Sequence, residues 1–155
     1  MKNKFREKNG VTMVALIITV VLLAILASVT VSVSKDSLIE TKKYNFVSEL
    51  EIIQQKILVI NKEIELGSTT YDEIGTKYDD LEDTKKQMVR EILGKNGITN
   101  YSKYIYMSVE DLSKIGLKNS KQDVIISREN SIVYSYDGVN LNGTMCYSIE
   151  EANKV

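Results

Sequence analysis

The sequence predicts an α+β fold in which one long amino-terminal helix packs on a small antiparallel β-sheet. Residues 11–33 contain no charge, glycine or proline, residues 46–64 carry apolar side chains at helical spacing, and the tyrosine-rich segments after Tyr101 alternate as strands do. These three features divide the chain into four predicted parts. They are a leader peptide (1–10), a membrane helix (11–34), its amphipathic continuation (35–67) and a small α+β globular part (68–155).

The uncharged run is long enough to cross a membrane as a helix. At about 1.5 Å per residue it would reach about 35 Å, whereas the hydrocarbon core of a bilayer is about 30 Å thick. Its many β-branched residues do not prevent a helix, because every backbone group in lipid must be paired within the segment. Basic residues concentrate before the run, at Lys2, Lys4, Arg6 and Lys8. Since positive segments stay in the cytoplasm, residues 35–155 are predicted to lie outside the cell.

Three kinds of export segment compete as interpretations of this run. A cleaved secretory signal usually has an apolar stretch of only about 7–15 residues, and a cut after Ala27 would place bulky Ile25 where a small residue is expected. A plain signal anchor fits both the length and the charge. A prepilin additionally requires a short basic leader that ends in glycine immediately before the run, and Gly10 followed by Val11 meets that requirement.

The segment from Lys8 to Thr19, KNGVTMVALIIT, resembles the class III signal of type IV pilins and type II secretion pseudopilins. The closest resemblance is to the pilin-like proteins of Gram-positive bacteria. It implies that a prepilin peptidase cuts between Gly10 and Val11 and methylates the new amino terminus at Val11. It also implies that the apolar helix is retained and takes part in assembly. The assembly residues implied in this way are Thr12, Ala15, Leu16 and Ile17.

Ala15 departs from the family pattern, which usually has glutamate as the fifth residue after the cut. A carboxylate within lipid costs about 2.5–3.5 kcal/mol on insertion scales, so it is retained only where a partner compensates for it. Alanine avoids this cost and gives up a charge pair with the amino terminus of a neighbouring subunit. The substitution therefore indicates either a minor or tip subunit, or a subfamily that assembles mainly by packing; the second interpretation is favoured.

The segment after the membrane run is predicted to continue as an amphipathic helix. Its apolar residues occupy the a and d positions of a heptad, with mostly polar or charged residues between them. The stripe consists of Phe46, Leu50, Ile53, Ile57, Ile60 and Ile64. A separate start at Ser37 is an alternative because residues 37–40 have capping-box form, but the absence of glycine and proline from Val11 to Leu66 favours one continuous helix that ends at Gly67.

The stripe would serve either a homodimeric coiled coil or packing against the globular part of the same chain. Intramolecular packing is favoured, because residues 68–155 need an apolar partner to complete a core.

The globular part is predicted to combine short helices with a sheet of three or four strands. Within residues 68–100, residues 70–73 have capping-box form, and a helical face that ends at Gly94 then follows, made of Leu81, Lys85, Met88, Val89 and Ile92. Tyrosines of the strands are expected to be half-buried. The later elements are predicted as a strand (104–107), a capped helix (108–117), a hairpin (123–127 with 131–136) and a last strand (144–148) after turns at Asp137-Gly138 and Asn142-Gly143. This tail also resembles the Gram-positive pilin-like group, whereas residues 68–100 resemble no family.

Charge argues against a nucleic-acid-binding function. The formal net charge is −1, and because residues 1–10 are basic the excess of acid lies in residues 11–155. General nucleic-acid binding is therefore not expected, since it depends on neutralising phosphates. Lys114, Lys118 and Lys121 form a small basic group that is predicted to be solvated surface.

The side-chain inventory argues against catalysis. Histidine is absent, and no nucleophile motif or phosphate-binding loop is present, so neither an enzymatic activity nor a cofactor is predicted. The acidic residues of segment 72–83 lack the spacing of a calcium loop, so no metal is expected. Cys146, the single cysteine, is predicted to be a small strand side chain.

Together these features predict a structural subunit, major or minor, of an extracellular type IV pilus-like filament or a type II secretion-like system. Its expected partners are other pilin subunits, the prepilin peptidase, the membrane, and an assembly platform with its ATPase. Its expected location is the cell membrane, as a single-pass protein, and then a surface filament. The alternative is a membrane-anchored surface binding or sensor protein that dimerises through a coiled coil and keeps an intact amino terminus.

Overall fold

Helix α1 extends from Arg6 to Glu65 without interruption. The prediction of one continuous helix is confirmed, and Ser37, the alternative helix start, lies inside it. The helix is capped as expected by Gly67, which has a φ of +93°. The Gly67 N–H donates to the Ile64 carbonyl at 2.9 Å, and the Ser68 N–H donates to the Glu63 carbonyl at 3.0 Å. This bond pattern is a Schellman cap, which satisfies carbonyls that the last turn leaves open.

The structure is a computed structural model that describes residues 6–68, 70–71 and 73–155, and the side chains of these residues except those of 6–12 and 27–34. The chain divides into two compact units, Met1–Glu40 and Thr41–Val155. The elements after α1 are β1 (Thr76–Lys77), a 3-10 turn (Tyr78–Asp80), α2 (Asp83–Lys95), a second 3-10 turn (Tyr101–Lys103), β2 (Tyr104–Met107), α3 (Val109–Lys114), β3 (Val124–Ser127), β4 (Val133–Ser135), β5 (Val139–Leu141), β6 (Thr144–Cys146) and α4 (Ile149–Lys154). The coarse α+β class, with a long helix and a small antiparallel sheet, is confirmed.

Four strands form the main sheet in the order β1-β2-β3-β4, and every neighbouring pair is antiparallel. Tyr106 of β2 stands opposite Ile125 of β3, which stands opposite Tyr134 of β4. The predicted hairpin between β3 and β4 is confirmed. The last predicted strand forms as β6, but it pairs with β5 in a separate two-stranded sheet.

The first face of the main sheet lies against α1. Ile57 and Ile60 of α1 line a small cavity of about 20 Å³ together with residues of β2 and β3, among them Ile105 and Ile126. At the edge of this contact the Asn61 side-chain amide donates to the Arg128 carbonyl at 2.9 Å and to the Ser131 hydroxyl at 3.0 Å. Residues 41–65 of α1 therefore form one layer and the sheet forms the next.

The second face of the sheet is covered by α2. A single buried cluster joins α2 to the sheet, and it consists of Tyr78, Leu81, Val89, Ile92, Leu93, Tyr104, Tyr106, Ile125, Tyr134 and Tyr147. The expectation of half-buried tyrosines is wrong for the strand residues Tyr104, Tyr106 and Tyr134, which are only 5–8% exposed. Because helices cover both faces, every residue of β2, β3 and β4 is buried. These strands therefore lack the alternation of buried and exposed residues that is found in a sheet with one face in solvent.

Most of the helical face predicted within residues 68–100 is confirmed by α2, in which Val89 and Ile92 are buried, but the capping-box pattern at Thr70 does not begin that helix. α2 begins at Asp83 after Glu82, while Thr70 and Tyr71 form a turn and residue 72 lies outside the described part. The turn is followed by β1, whose two residues pair with β2. The capping-box pattern at Thr70 thus precedes a strand, and the acidic side chain at the start of α2 interacts favourably with the helix dipole.

The predicted capped helix near residue 108 is confirmed. The Ser108 hydroxyl accepts from the Asp111 N–H, and the Asp111 carboxylate accepts from the Ser108 N–H, so both halves of a capping box are present. The carboxyl terminus differs from the prediction, because β6 ends at Cys146 and Ser148 caps the additional helix α4.

Candidate functional site

The predicted processing site falls largely outside the described side chains. The backbones of Gly10 and Val11 are helical and belong to α1. The side chains of Val11 and of Thr12, the first predicted assembly residue, lie outside the described part of the chain.

The segment 13–26 of α1 presents apolar side chains to its surroundings. Ala15 is exposed, Leu16 is 63% exposed and Ile17 is 62% exposed. The Thr19 hydroxyl donates to the Leu16 carbonyl at 2.8 Å, so this polar group is satisfied by the helix itself. Contiguous exposed apolar surface of this kind marks a site of interaction with protein or lipid.

Over the part of the chain that the structure describes, none of the helices is at once long and apolar enough to cross a membrane.

The predicted packing stripe of α1 is buried by the rest of the chain. Exposure is 6% for Phe46, 0% for Leu50, 1% for Ile53, 4% for Ile57 and 6% for Ile60. Ile64, the last residue of the stripe, is only partly buried. These side chains are buried within a single copy, so in this conformation they are not available to a second helix.

A different surface of α1 carries apolar side chains that remain exposed. Ile52 is 60% exposed and Val59 is 50% exposed, although each directly precedes a buried residue of the stripe. Tyr44 and Leu58 are 72% and 45% exposed. The positions between the stripe residues are mostly polar, so this surface was not predicted from the sequence. The spacing of seven positions between the apolar residues Ile52 and Val59 could have indicated it, because such residues lie on the same side of a helix.

A groove of about 770 Å³ lies beside α1 in the unit 41–155. Its walls come from residues 42–53 of α1, from the loop 116–122 and from residues 137–139. The Glu49 carboxylate fixes the loop, because one of its oxygens accepts from the Ser120 hydroxyl at 3.1 Å and from the Lys121 N–H at 2.8 Å. The groove therefore has a fixed wall and an exposed basic rim, which includes Lys118 and Lys121.

Cationic side chains of α2 lie over tyrosine rings of the buried cluster. The Lys85 ammonium is 4.3 Å from the centre of the Tyr106 ring, and the Lys95 ammonium is 5.0 Å from that of Tyr147. Burial raises the pKa of Tyr106, and its hydrogen bond to Asp123 raises the pKa further. Tyr106 therefore keeps its proton and donates it in a hydrogen bond to Asp123, and both rings serve as cation–π partners that hold α2 to the buried cluster.

Cys146 is fully buried at the end of β6, as its alternating context predicted. Burial raises the pKa of its thiol above the usual value. A buried thiol with a raised pKa is a poor nucleophile. Within the described ranges, no group of three or more histidine, cysteine or acidic side chains is arranged to hold a metal ion.

Comparison with other proteins found no protein family, no characterised protein and no solved structure that matches this chain. Function is therefore inferred from the residues themselves.

Proposed function

We propose that this protein is a structural subunit of a type IV pilus-like surface filament or of a type II secretion-like system. The observation that carries the proposal is the position of Gly10, which ends a short basic leader immediately before the uncharged run of residues 11–33. A peptidase that cuts after Gly10 would remove the basic residues and leave the apolar helix in place. The role is structural and not catalytic.

The exposed apolar side chains of segment 13–26 support this proposal physically. Burial of apolar surface contributes about 25 cal/mol per Å², whether the surroundings are lipid or other helices. A helix such as this one is stable in a membrane before assembly and in a bundle of identical helices afterwards. Transfer between the two environments leaves little apolar surface in water at either end.

Ala15 fits assembly through packing. Its side chain is small and exposed, and Leu16 and Ile17 beside it are large, apolar and exposed. Small residues allow close approach of helix backbones, so that packing can stabilise an interface that has no buried charge pair. The unit 41–155 has exposed apolar side chains of its own on α1, at Ile52 and Val59.

The alternative of a surface receptor that dimerises through a coiled coil is less well supported. The heptad stripe on which that alternative depends is buried against its own globular part, with Leu50 and Ile53 at most 1% exposed. A coiled coil through this stripe would require α1 to separate from the sheet. The exposed surface that remains on α1 instead favours contacts between subunits that are already folded.

Amino-terminal sequencing of the mature protein tests the proposal. The protein should begin at methylated Val11 in cells that contain the cognate peptidase and at the original amino terminus in cells that lack it. A Gly10→Leu variant should remain uncut, whereas a Gly67→Leu variant, altered outside the leader, should be processed. Recovery of an uncut terminus from the peptidase-positive cells contradicts the proposal, and a cut near Ala27 shows ordinary secretion instead.

A further inference from the structure

One exposed segment of the globular part carries an unusual density of negative charge. Asp79, Asp80, Glu82 and Asp83 fall within five residues and are all exposed; these five residues, 79–83, are called the acidic segment. None of the four carboxylates forms an ion pair with any described residue, and Asp79 only accepts a long hydrogen bond of 3.4 Å from Ser102. The dipole of α2 accounts for Glu82 at its N-cap and Asp83 in its first turn, but not for Asp79 and Asp80.

The groove beside α1 carries the complementary charge. Lys42, Lys118 and Lys121 line it, are exposed, and form no ion pair within the described part of the chain. Two carboxylates also line it, of which Glu49 already accepts hydrogen bonds from the loop and Asp137 is exposed. Three lysines thus outnumber two acids in a groove that is large enough to hold a short peptide segment.

The sheet holds these two surfaces apart within one copy. The acidic segment follows β1, which is one edge of the sheet, whereas residues 137–139 of the groove follow β4, which is the other edge. Across four strands the edges are separated by about 14 Å. The two surfaces also lie at opposite ends of the strands. The acidic segment is near the start of β2, because Asp79 contacts Ser102, which comes shortly before that strand. The loop 116–122 is near the end of β2, because it leads into Val124 of β3, which pairs with Met107, the last residue of β2.

We propose that the basic groove accepts the acidic segment of a second copy of this chain. The contact joins two different surfaces, so it is head-to-tail, and it repeats from copy to copy because each copy keeps one surface free. This property is the one that a filament requires and that a closed dimer lacks. The inference rests on the proposed function only in that assembly brings the copies together.

Zero-length cross-linking of the full-length chain in its assembled state tests this contact. A carbodiimide joins a lysine amine to a carboxylate by an amide bond, with loss of water, only where the two groups touch. A mixture of copies with normal and heavy nitrogen identifies the links that form between copies. The expected products join Lys42, Lys118 or Lys121 of one copy to the acidic segment of another, and their yield should fall at high salt because exposed charges are screened.

Charge reversal gives the matched comparison. In a sample in which every copy carries both Lys118→Glu and Lys121→Glu, Lys42 is the lysine that remains in the groove. The cross-link between Lys42 and residues 79–83 should then be lost, because the groove has become acidic. Mixing these copies with copies that carry Asp79→Lys and Asp80→Lys should restore a cross-link with reversed polarity. The control pair Lys62→Glu with Lys154→Glu makes the same change in net charge at exposed sites away from the groove, and it should leave the cross-link intact.

Two outcomes overturn the inference: assembled copies that cross-link only at other positions, and a reversed pair that fails to restore the link. The amino-terminal sequence of the same sample separates this failure from failure of the proposed function. An uncut terminus together with the expected cross-link would contradict the proposed pilin function and support the contact between copies. A terminus at Val11 without the cross-link would support the proposed function and contradict the contact.

Discussion

The Tyr106 hydroxyl donates a hydrogen bond to the carboxylate of Asp123, which joins the second face of the sheet to the residue immediately before β3. The other oxygen of the same carboxylate accepts from the N–H of Val109, the first residue of α3, at 2.9 Å. Lys85 of α2 lies over the Tyr106 ring. One acidic side chain therefore fixes the positions of β2, β3 and α3 relative to each other, and its partner ring contacts α2.

Removal of Asp123 is expected to cost more stability than removal of the Tyr106 hydroxyl. Tyr106→Phe should lower the free energy of unfolding by about 1 kcal/mol, because the bond to Asp123 and a longer bond of 3.3 Å from the Lys85 ammonium are lost. Asp123→Ala leaves two donors without their acceptor and should lower it by about 2–3 kcal/mol. Urea unfolding of the full-length chain in detergent measures both values. The double variant should resemble Asp123→Ala alone, and simple additivity of the two effects would show that the residues are not coupled.

Two adjacent isoleucines of α1 should differ sharply in their contribution to stability. Ile53 is 1% exposed and Ile52 is 60% exposed. Ile53→Ala should lower the free energy of unfolding by about 2–5 kcal/mol, because it leaves a cavity in the packed stripe. Ile52→Ala should change it by less than about 0.5 kcal/mol. Thermal or urea unfolding of non-assembled protein makes the comparison, and similar losses at both positions would show that α1 does not pack on the sheet through this stripe.

Gly75 and Gly67 form a second matched pair, because both have a positive φ but only one lies against other atoms. At Gly75 an added Cβ would lie 2.7 Å from the Ile105 side chain and 2.9 Å from the Tyr106 carbonyl, whereas at Gly67 it would meet nothing within 4 Å. Gly67→Ala should cost about 1–2 kcal/mol from backbone strain alone. Gly75→Ala should cost a further 1–3 kcal/mol, roughly, from overpacking. Equal losses in urea unfolding would contradict the close approach of β1 to β2.

Stability should decline at alkaline pH partly through Tyr134. Burial, followed by the nearby Tyr104 and the acidic side chains of α4, raises its pKa from 10.0 to about 12. Because the folded-state pKa is the higher one, this contribution is complete below pH 10 and is lost as the pH rises from 10 towards 12. Tyr134→Phe should therefore show a shallower decline over that range than the parent chain. Ultraviolet titration of tyrosinate checks the same point, and a group that ionises near pH 10 in the folded protein would refute it.

Local chemistry made several elements predictable from the sequence. The uninterrupted α1, its cap at Gly67 and the capping box of Ser108 all follow from residues that lie next to each other in the chain. The helix α4 had a similar signal, in which Ser148 precedes Glu151 by three residues and accepts its N–H, but this signal was read as part of a strand. Such features depend on spacing alone.

Features that depend on distant parts of the chain could not be predicted. β1 has two residues with no strand pattern, and it exists because it pairs with β2. The burial of Tyr104 and Tyr134 depends on the position of α2, and no periodicity within β2 or β4 contains that information. In the candidate site, the buried stripe was apparent from its heptad spacing. The groove was not apparent, because α1, the loop 116–122 and residues 137–139 meet only in the folded chain.

The position of α2 over the tyrosines has a consequence for how the protein can diversify. The outer surface of α2, which faces away from the tyrosines, exposes side chains such as Gln87, Met88 and Glu91 to solvent. These residues form no part of the buried cluster beneath them. Mutations at such positions can alter the exposed surface of α2 while the strands keep their sequence. The buried residues of the sheet and the exposed residues of α2 can thus evolve at different rates.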